Sequence, residues 1–149
     1  MKNITVIIST LLLFMLFSSF CYQANKTVTF TGDVEKLRNS KGIVQFALYN
    51  KDGSIPNENF KRCYKILKAN IVNSSSTVIS KNIQIGKYAV NIFHDENNNG
   101  KIDKGFILPI EGIGFSNIGT INLSNRSSCT KASFDLVSDK YMTIKLIYL

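Results

Sequence analysis

The chain has 149 residues and a formal charge of +8, from 18 Lys and Arg residues against 10 Asp and Glu residues. This length fits one domain with a modest core. The basic residues are scattered singly, and their densest group, between Lys61 and Lys68, is interleaved with apolar side chains. No nucleic-acid motif accompanies them, so the charge predicts a solvated basic surface and no nucleic-acid partner.

The first two dozen residues have the pattern of a secretory signal peptide. Lys2 supplies a positive charge, a mostly apolar run extends from Ile4 to Phe20, and small and polar residues follow. We predict cleavage after Ala24, with Cys21 as a second possible position. The alternative is a retained membrane anchor. That alternative is disfavoured because a span needs ~20 predominantly apolar residues, and no basic residue follows this run directly.

Cleavage after Ala24 divides the chain into a signal peptide, residues 1–24, and one mature domain, residues 25–149. The loss of Lys2 lowers the formal charge by one, from +8 to +7. We expect the mature domain to be secreted or periplasmic, with no stable membrane insertion after cleavage.

Export would bring the two remaining cysteines, Cys63 and Cys129, into an oxidising compartment. An even number of cysteines in a small secreted domain predicts a disulfide, here Cys63–Cys129. The alternative is a pair of buried thiols that never approach each other.

After the predicted signal peptide, the sequence pattern predicts seven short β-strands. Each is rich in β-branched or aromatic residues, most alternate apolar and polar positions, and turn residues separate one strand from the next. The predicted strands are Thr27–Thr31, Gly42–Tyr49, Tyr64–Val72, Thr77–Ile85, Lys87–Phe93, Lys131–Val137 and Met142–Tyr148. A helix over Glu58–Lys68 is the one competing interpretation. The pattern predicts an all-β fold, a single antiparallel β-sandwich of about seven strands.

Alternation also predicts which side chains face the core. In the third predicted strand these are Leu67, Ala69 and Ile71. In the last predicted strand, one face carries Met142, Ile144, Leu146 and Tyr148. Side chains two residues apart lie on the same face of a strand, so each set is expected to be buried together.

Oxygen-bearing side chains recur at every second position in residues 95–103, DENNNGKID, which follow the fifth predicted strand. On an EF-type calcium loop this segment offers five ligands. They are the side chains of Asp95, Asn97, Asn99 and Asp103 and the carbonyl of Lys101. Gly100 stands where a backbone that curls around an ion needs a positive φ. The segment therefore predicts a calcium site.

The closing ligand of such a loop is missing. Its twelfth position normally holds a bidentate Glu and here holds Phe106, although Glu111 could reach in from the next turn. With two certain side-chain charges, the expected calcium affinity is weak, in the extracellular range of about 10⁻⁴–10⁻³ M. The alternative is an Asn/Gly-rich turn that satisfies its own backbone. Glu96 occupies an intervening position and is not expected to be a ligand.

Several motifs around this loop resemble those of a bacterial secreted family known as domain of unknown function 2141. They are GKYAV at 86–90, FHDENNNGKID at 93–103, EG at 111–112 and GFSN at 114–117, with further likeness at 42–49, 132–134 and 144–148. The resemblance implies a small extracytoplasmic β-sandwich, immunoglobulin- or transthyretin-like, with no established activity. One departure is Ser127-Ser128-Cys129-Thr130, where family members usually have a Pro-rich step.

His94 is the only histidine, and it precedes Asp95. Neighbours in a strand point to opposite faces, so the two do not automatically form a catalytic pair. A lone histidine also cannot build a zinc site without other strong ligands nearby. We expect His94 to be half-buried, with a ring nitrogen bonded to a carbonyl near Gly112 or Ser116.

These observations predict a non-enzymatic module that binds a protein or small ligand through its Asp95–Asn117 end, with calcium fixing the shape of the loops. The alternative is a metal-dependent hydrolase that uses the same loop. An enzyme needs an open coordination position and a general base in a pocket, whereas a module does not.

Overall fold

The computed structural model describes residues 26–55, 60–106, 108–120 and 128–149. The predicted signal peptide lies outside these residues. The described part of the chain forms eight β-strands and one short helix. The strands are β1 (Thr27–Val34), β2 (Ile43–Tyr49), β3 (Lys65–Ala69), β4 (Ser76–Gln84), β5 (Gly86–Asp95), β6 (Ile113–Phe115), β7 (Phe134–Leu136) and β8 (Lys140–Thr143). The helix α1 (Cys129–Ala132) lies between β6 and β7.

The strands form two sheets, which confirms the predicted β-sandwich. One sheet has the order β4–β1–β8, and the other has the order β3–β2–β5–β6, with β7 also paired to β5. Every pairing of these strands is antiparallel except that of β1 with β8. The β1–β8 pair is thus the one exception to the predicted antiparallel arrangement among the described strands. The chain reaches β8 by crossing from β7 in the other sheet, and a crossover permits a parallel neighbour where a tight hairpin does not.

A hydrophobic core fills the space between the sheets. Phe30 of β1, Phe46 of β2 and Ile92 of β5 are fully buried in it. Leu67, Ala69 and Ile71 pack against this core as predicted. So do the four residues predicted to share a face of the last strand, Met142, Ile144, Leu146 and Tyr148.

A second cluster covers the outer face of the larger sheet. Ala47, Tyr49, Ala89 and Phe93 point to this side and meet apolar residues of the loops and of α1. Strands β2 and β5 are thus covered on both faces. This explains why their sequences are nearly continuous in apolar residues, since alternation appears only where one face meets water.

Several boundaries differ from the prediction. Strand β3 begins at Lys65, and the described part of Glu58–Lys68 contains no helix. The start of the predicted Lys131–Val137 strand lies in α1, because the Ser128 side chain accepts the Lys131 N–H at 3.3 Å and begins a helical turn. After Thr143 the chain makes only one isolated bridge, between Ile147 and Ile113.

No helix in the described part of the chain has the length and apolar character needed to cross a membrane.

Candidate functional site

The loop 95–103 begins on a buried carboxylate at the end of β5. Asp95 is fully buried, and its two carboxylate oxygens accept the N–H groups of Asn99 at 3.0 Å and Gly100 at 2.8 Å. Gly100 has a φ of +73°, which glycine adopts without strain. These contacts curl residues 95–100 around the Asp95 side chain.

The remaining predicted side chains meet in the same loop. The Asn97 and Asn99 side-chain oxygens accept the N–H groups of Asn99 and Lys101, at 3.0 and 2.7 Å. The amide nitrogen of Asn97 donates to the Asp103 carboxylate at 2.6 Å, and that of Asn99 does so at 3.0 Å. The structure thus brings these side chains together in one loop. Their oxygens satisfy the backbone of the loop, as the turn interpretation requires.

Glu111 reaches the loop from the next turn. It is 4% exposed, and its two oxygens accept the N–H groups of Glu96 at 2.9 Å and Asp103 at 3.1 Å. Burial raises the pKa of Glu111 and outweighs these two hydrogen bonds, and the charges of Asp103 and Asp95 raise it further. The Glu111 side chain therefore binds backbone N–H groups at both ends of the loop. It also adds a third carboxylate to those of Asp95 and Asp103.

No group of three His, Cys, Asp or Glu side chains among the described residues is arranged to hold a metal ion. A cation in this loop would therefore need amide or carbonyl oxygens as well. The Asn97 and Asn99 side chains and the Lys101 carbonyl belong to the same loop. The donor set is made of oxygens alone, which suits calcium better than zinc.

Glu96 anchors the loop to the segment between β1 and β2. Its carboxylate accepts Nε of Arg38 at 2.6 Å and Nδ2 of Asn39 at 2.9 Å, and Nη2 of Arg38 also donates to the Ile110 carbonyl at 3.0 Å. Burial raises the pKa of Glu96, but the hydrogen bonds from Asn39 and Arg38 and the Arg38 charge lower it by more, so the pKa is lowered overall.

Sequence reasoning missed the roles of Glu96, Arg38 and Asn39. The sequence assigned Glu96 no ligand role and did not reveal that it anchors the loop. Arg38 is 58 positions away from its partner in the sequence. No local spacing connects residues so far apart.

His94 is fully buried, so the expectation of half-burial is wrong. Its Nε2 lies 2.8 Å from the Lys41 carbonyl and its Nδ1 lies 2.8 Å from the Tyr148 hydroxyl. The ring therefore has a carbonyl partner, but it is Lys41, and Gly112 instead accepts the backbone N–H of His94 at 2.9 Å.

These partners determine the tautomer of a neutral His94 ring. A carbonyl only accepts, so Nε2 carries the proton and Nδ1 accepts from the Tyr148 hydroxyl. That hydroxyl in turn accepts the Arg38 backbone N–H at 3.2 Å. Both ring nitrogens are thus engaged, and His94 joins β5 to the segment before β2 and to the C-terminal segment.

Residues 33–145 match the family described as uncharacterized proteins conserved in bacteria, DUF2141. The match extends from the end of β1 to the segment after β8 and includes the whole 95–117 end. The chain belongs to this family. No curated protein and no solved structure matches the chain. The finer likeness to immunoglobulin or transthyretin folds stays a prediction.

The glycines of the segment EGIGFSN, residues 111–117, lie against the C-terminal segment. A Cβ added to Gly112 would lie 2.5 Å from the Tyr148 ring, and one added to Gly114 would lie 2.3 Å from the Lys145 carbonyl oxygen. The Ser116 hydroxyl donates to the Ala132 carbonyl at 2.6 Å, and Asn117 donates to the Ser133 carbonyl at 2.7 Å. The motif therefore joins β6 to the C-terminal segment and to α1.

Cys63 and Cys129 of this DUF2141 protein are free thiols, so the predicted disulfide is absent from the structure. Each thiol instead donates to a backbone carbonyl, Cys63 to Phe60 at 2.8 Å and Cys129 to Lys51 at 3.2 Å. Burial raises the pKa of Tyr49, and the two cysteines raise it further. Both thiols therefore lie near one buried tyrosine.

Two cavities in the described part of the chain lie away from the 95–117 end. The larger, of about 650 Å³, is lined by residues 50–54 and 61–64. The smaller is lined by residues that include Tyr49, Lys87 and Cys129. Neither lining includes His94, Asp95 or Glu111.

Proposed function

We propose that this DUF2141 protein is an extracytoplasmic, non-enzymatic β-sandwich module. Its binding end is the Asp95–Asn117 end, and calcium fixes the shape of that end. The partner is a protein or a small ligand, and not nucleic acid. The observation that carries the proposal is the convergence of Asp95 and Asp103 with the amide groups of Asn97 and Asn99 in one short loop.

Asp95, Asp103, Asn97 and Asn99 would hold the ion through side-chain oxygens, and Lys101 would do so through its carbonyl. Calcium takes six to eight oxygen ligands in flexible geometry. A cation also relieves the mutual repulsion of clustered carboxylates. To bind, however, the cation must displace the hydrogen bonds that the Asn97 and Asn99 amides donate to Asp103. This competition supports weak binding, with Kd of about 10⁻⁴–10⁻³ M.

The contacts of His94 and Glu111 favour a module over a hydrolase. A general base must come within hydrogen-bond distance of the substrate proton. Both ring nitrogens of His94 are within hydrogen-bond distance of protein partners. Both oxygens of Glu111 accept backbone N–H groups. Each side chain is committed to holding the loops together.

Calcium is expected to raise the melting temperature of the exported protein. At calcium about a hundredfold above Kd, binding to the native state alone contributes ~2.7 kcal/mol. For a domain of this size that corresponds to a rise of roughly 5–15 °C, measured by thermal unfolding. Asp103→Asn keeps the shape of the side chain but removes a charge, so it should abolish most of the rise.

Asp135→Asn is the matched control, because Asp135 is an exposed residue of β7. It should leave the calcium effect intact. Glu111→Gln should lower stability equally with and without calcium, since Glu111 bonds the backbone of the loop. Magnesium should act less strongly than calcium. A rise no larger than that produced by sodium chloride of equal ionic strength would contradict the calcium site.

Export is expected to pair Cys63 with Cys129 once the thiols leave the Phe60 and Lys51 carbonyls. The entropic model gives a disulfide that closes a long loop about 4 kcal/mol of stabilisation. Non-reducing peptide mapping of the exported protein should yield the linked pair and an N-terminus between Tyr22 and Lys26. Free thiols on a processed chain would contradict the pairing alone, whereas an intact Met1 would contradict export.

A further inference from the structure

The loop 95–103 contains the one Asn-Gly pair in the sequence, Asn99-Gly100. In such a pair, the backbone nitrogen of the second residue can attack the side-chain carbonyl carbon of the asparagine. Glycine favours this reaction, because it has no Cβ to hinder the approach and it leaves the backbone free to rotate. The Asn99 side chain is exposed, so water can reach the product of the attack. The candidate calcium loop therefore contains a chemically labile pair of residues.

The Asn99 side chain is held at both of its polar atoms. Its Oδ1 accepts the Lys101 N–H at 2.7 Å, and its Nδ2 donates to the two Asp103 carboxylate oxygens, each at 3.0 Å. An attack on Cγ requires the side chain to turn toward the Gly100 nitrogen, and that rotation breaks these hydrogen bonds. Asp103 therefore restrains the group that is attacked.

The attacking nitrogen is held as well. The Gly100 N–H donates to Oδ2 of Asp95 at 2.8 Å, and the Asn99 N–H donates to Oδ1 of the same carboxylate at 3.0 Å. Asp95 is 0% exposed, so its carboxylate has little freedom to follow a moving backbone. Gly100 must break this charge-assisted hydrogen bond before its nitrogen can reach Cγ of Asn99. Two carboxylates thus restrain the two reacting groups.

We propose that Asn99 is a deamidation site whose reactivity is restrained by Asp95 and Asp103. The Gly100 nitrogen loses its proton and bonds to Cγ of Asn99, and the bond from Cγ to Nδ2 breaks with release of ammonia. Water then opens the resulting succinimide ring at either carbonyl, which leaves aspartate or isoaspartate at position 99. The net reaction consumes water and releases ammonia, and no electrons are transferred. It proceeds from the minor population of molecules in which the loop is open.

Deamidation changes the charge and the hydrogen bonding of the loop. An aspartate at position 99 has no amide hydrogens, so repulsion between carboxylates replaces the hydrogen bonds to Asp103. An isoaspartate lengthens the backbone by a methylene group, which displaces the Gly100 N–H from Asp95. The aspartate form also offers a cation a third carboxylate beside Asp95 and Asp103. This last consequence rests on the proposed function, whereas the deamidation itself does not.

The test incubates the exported, processed protein at mildly alkaline pH in EDTA, so that calcium plays no part. Peptide mapping by mass spectrometry measures the fraction of aspartate and isoaspartate at position 99. The same measurement in denaturant gives the unrestrained rate, and the folded protein should react roughly a hundredfold more slowly. Asp103→Ala removes both acceptors of the Asn99 amide hydrogens. It should accelerate deamidation of the folded protein by roughly ten- to a hundredfold, and Asp95→Asn should act in the same direction.

Asp135→Ala is the matched control, because it removes an exposed carboxylate of β7 that lies outside the loop. It should leave the rate at Asn99 unchanged. Asn73-Ser74, in the turn between β3 and β4, is an internal reference in every sample. Its rate should not differ between variants, and circular dichroism checks that each variant is folded. Gly100→Ala should slow the reaction in denaturant, because the added methyl group hinders the attack.

Equal rates at Asn99 in the Asp103→Ala and Asp135→Ala variants would overturn the proposal. So would equal acceleration at Asn73 and Asn99, which would make general unfolding the cause. A slower reaction in Asp95→Asn would make Asp95 a base that assists the attack and would overturn its restraining role. Because calcium is absent throughout, failure of this proposal is separable from failure of the calcium site. A missing calcium-dependent melting shift removes calcium alone, whereas equal rates at Asn99 in the folded and denatured protein remove this proposal alone.

Discussion

Gly42→Ala is expected to lower the free energy of unfolding by roughly 3–5 kcal/mol, combining backbone strain and overlap with a neighbouring backbone. Gly42 has a φ of +68°, and a Cβ there would lie 1.8 Å from the Asp95 carbonyl oxygen. That oxygen cannot swing aside as a side chain would. The adjacent residue, Ile43, is paired with Asp95 in the β2–β5 ladder, so any shift disturbs the ladder and the start of the loop.

Gly53→Ala separates the two causes. Gly53 has a similar φ of +72°, but a Cβ there meets nothing within 4 Å. This variant should carry the backbone cost alone, about 1 kcal/mol. Chemical unfolding of both variants measures the difference. If Gly42→Ala loses no more stability than Gly53→Ala, the close approach of Gly42 to Asp95 does not hold in solution.

The local sequence pattern was enough to predict most of the strands, because alternation and turn signals depend only on residues that are close together in the sequence. It was enough for the inward faces of β3 and of the 142–148 segment as well. It failed for β6, since Ile113-Gly114-Phe115 is too short to show a period and has a glycine at its centre. It also failed for the parallel partner of β1, because strand order is decided by packing between distant segments.

In the candidate site, too, the local sequence predicts the contacts between neighbouring residues but not those between distant segments. Asp95, Asn97, Asn99 and Asp103 are neighbours in sequence, so their spacing alone predicted a shared loop. The contacts of Glu96 with Arg38 and of His94 with Lys41 and Tyr148 join segments that are more than 50 positions apart. Nothing in the local sequence distinguishes Arg38 from the other basic residues. Such partners become visible only when the sheets are assembled.

His94→Ala is expected to cost roughly 3–5 kcal/mol, because it opens a cavity in the core and removes two hydrogen bonds at once. The Lys41 carbonyl and the Tyr148 hydroxyl both lose their ring partner. The side chain is 0% exposed, so water can reach these groups only after local rearrangement. Chemical unfolding monitored by circular dichroism measures the loss.

Tyr148→Phe isolates one of these hydrogen bonds. It keeps the ring but removes the hydroxyl group. That hydroxyl lies 2.8 Å from Nδ1 of His94 and 3.2 Å from the backbone nitrogen of Arg38. Alone it should cost about 1–2 kcal/mol. If the His94–Tyr148 hydrogen bond holds the C-terminal segment against β5, the two substitutions are not independent. The double variant should then lose at least about 0.5 kcal/mol less stability than the sum of the single variants. Strictly additive losses would mean that His94 stabilises the domain through its volume and the Lys41 bond, and that the C-terminal segment is held by the close packing of Gly112 and Gly114 instead.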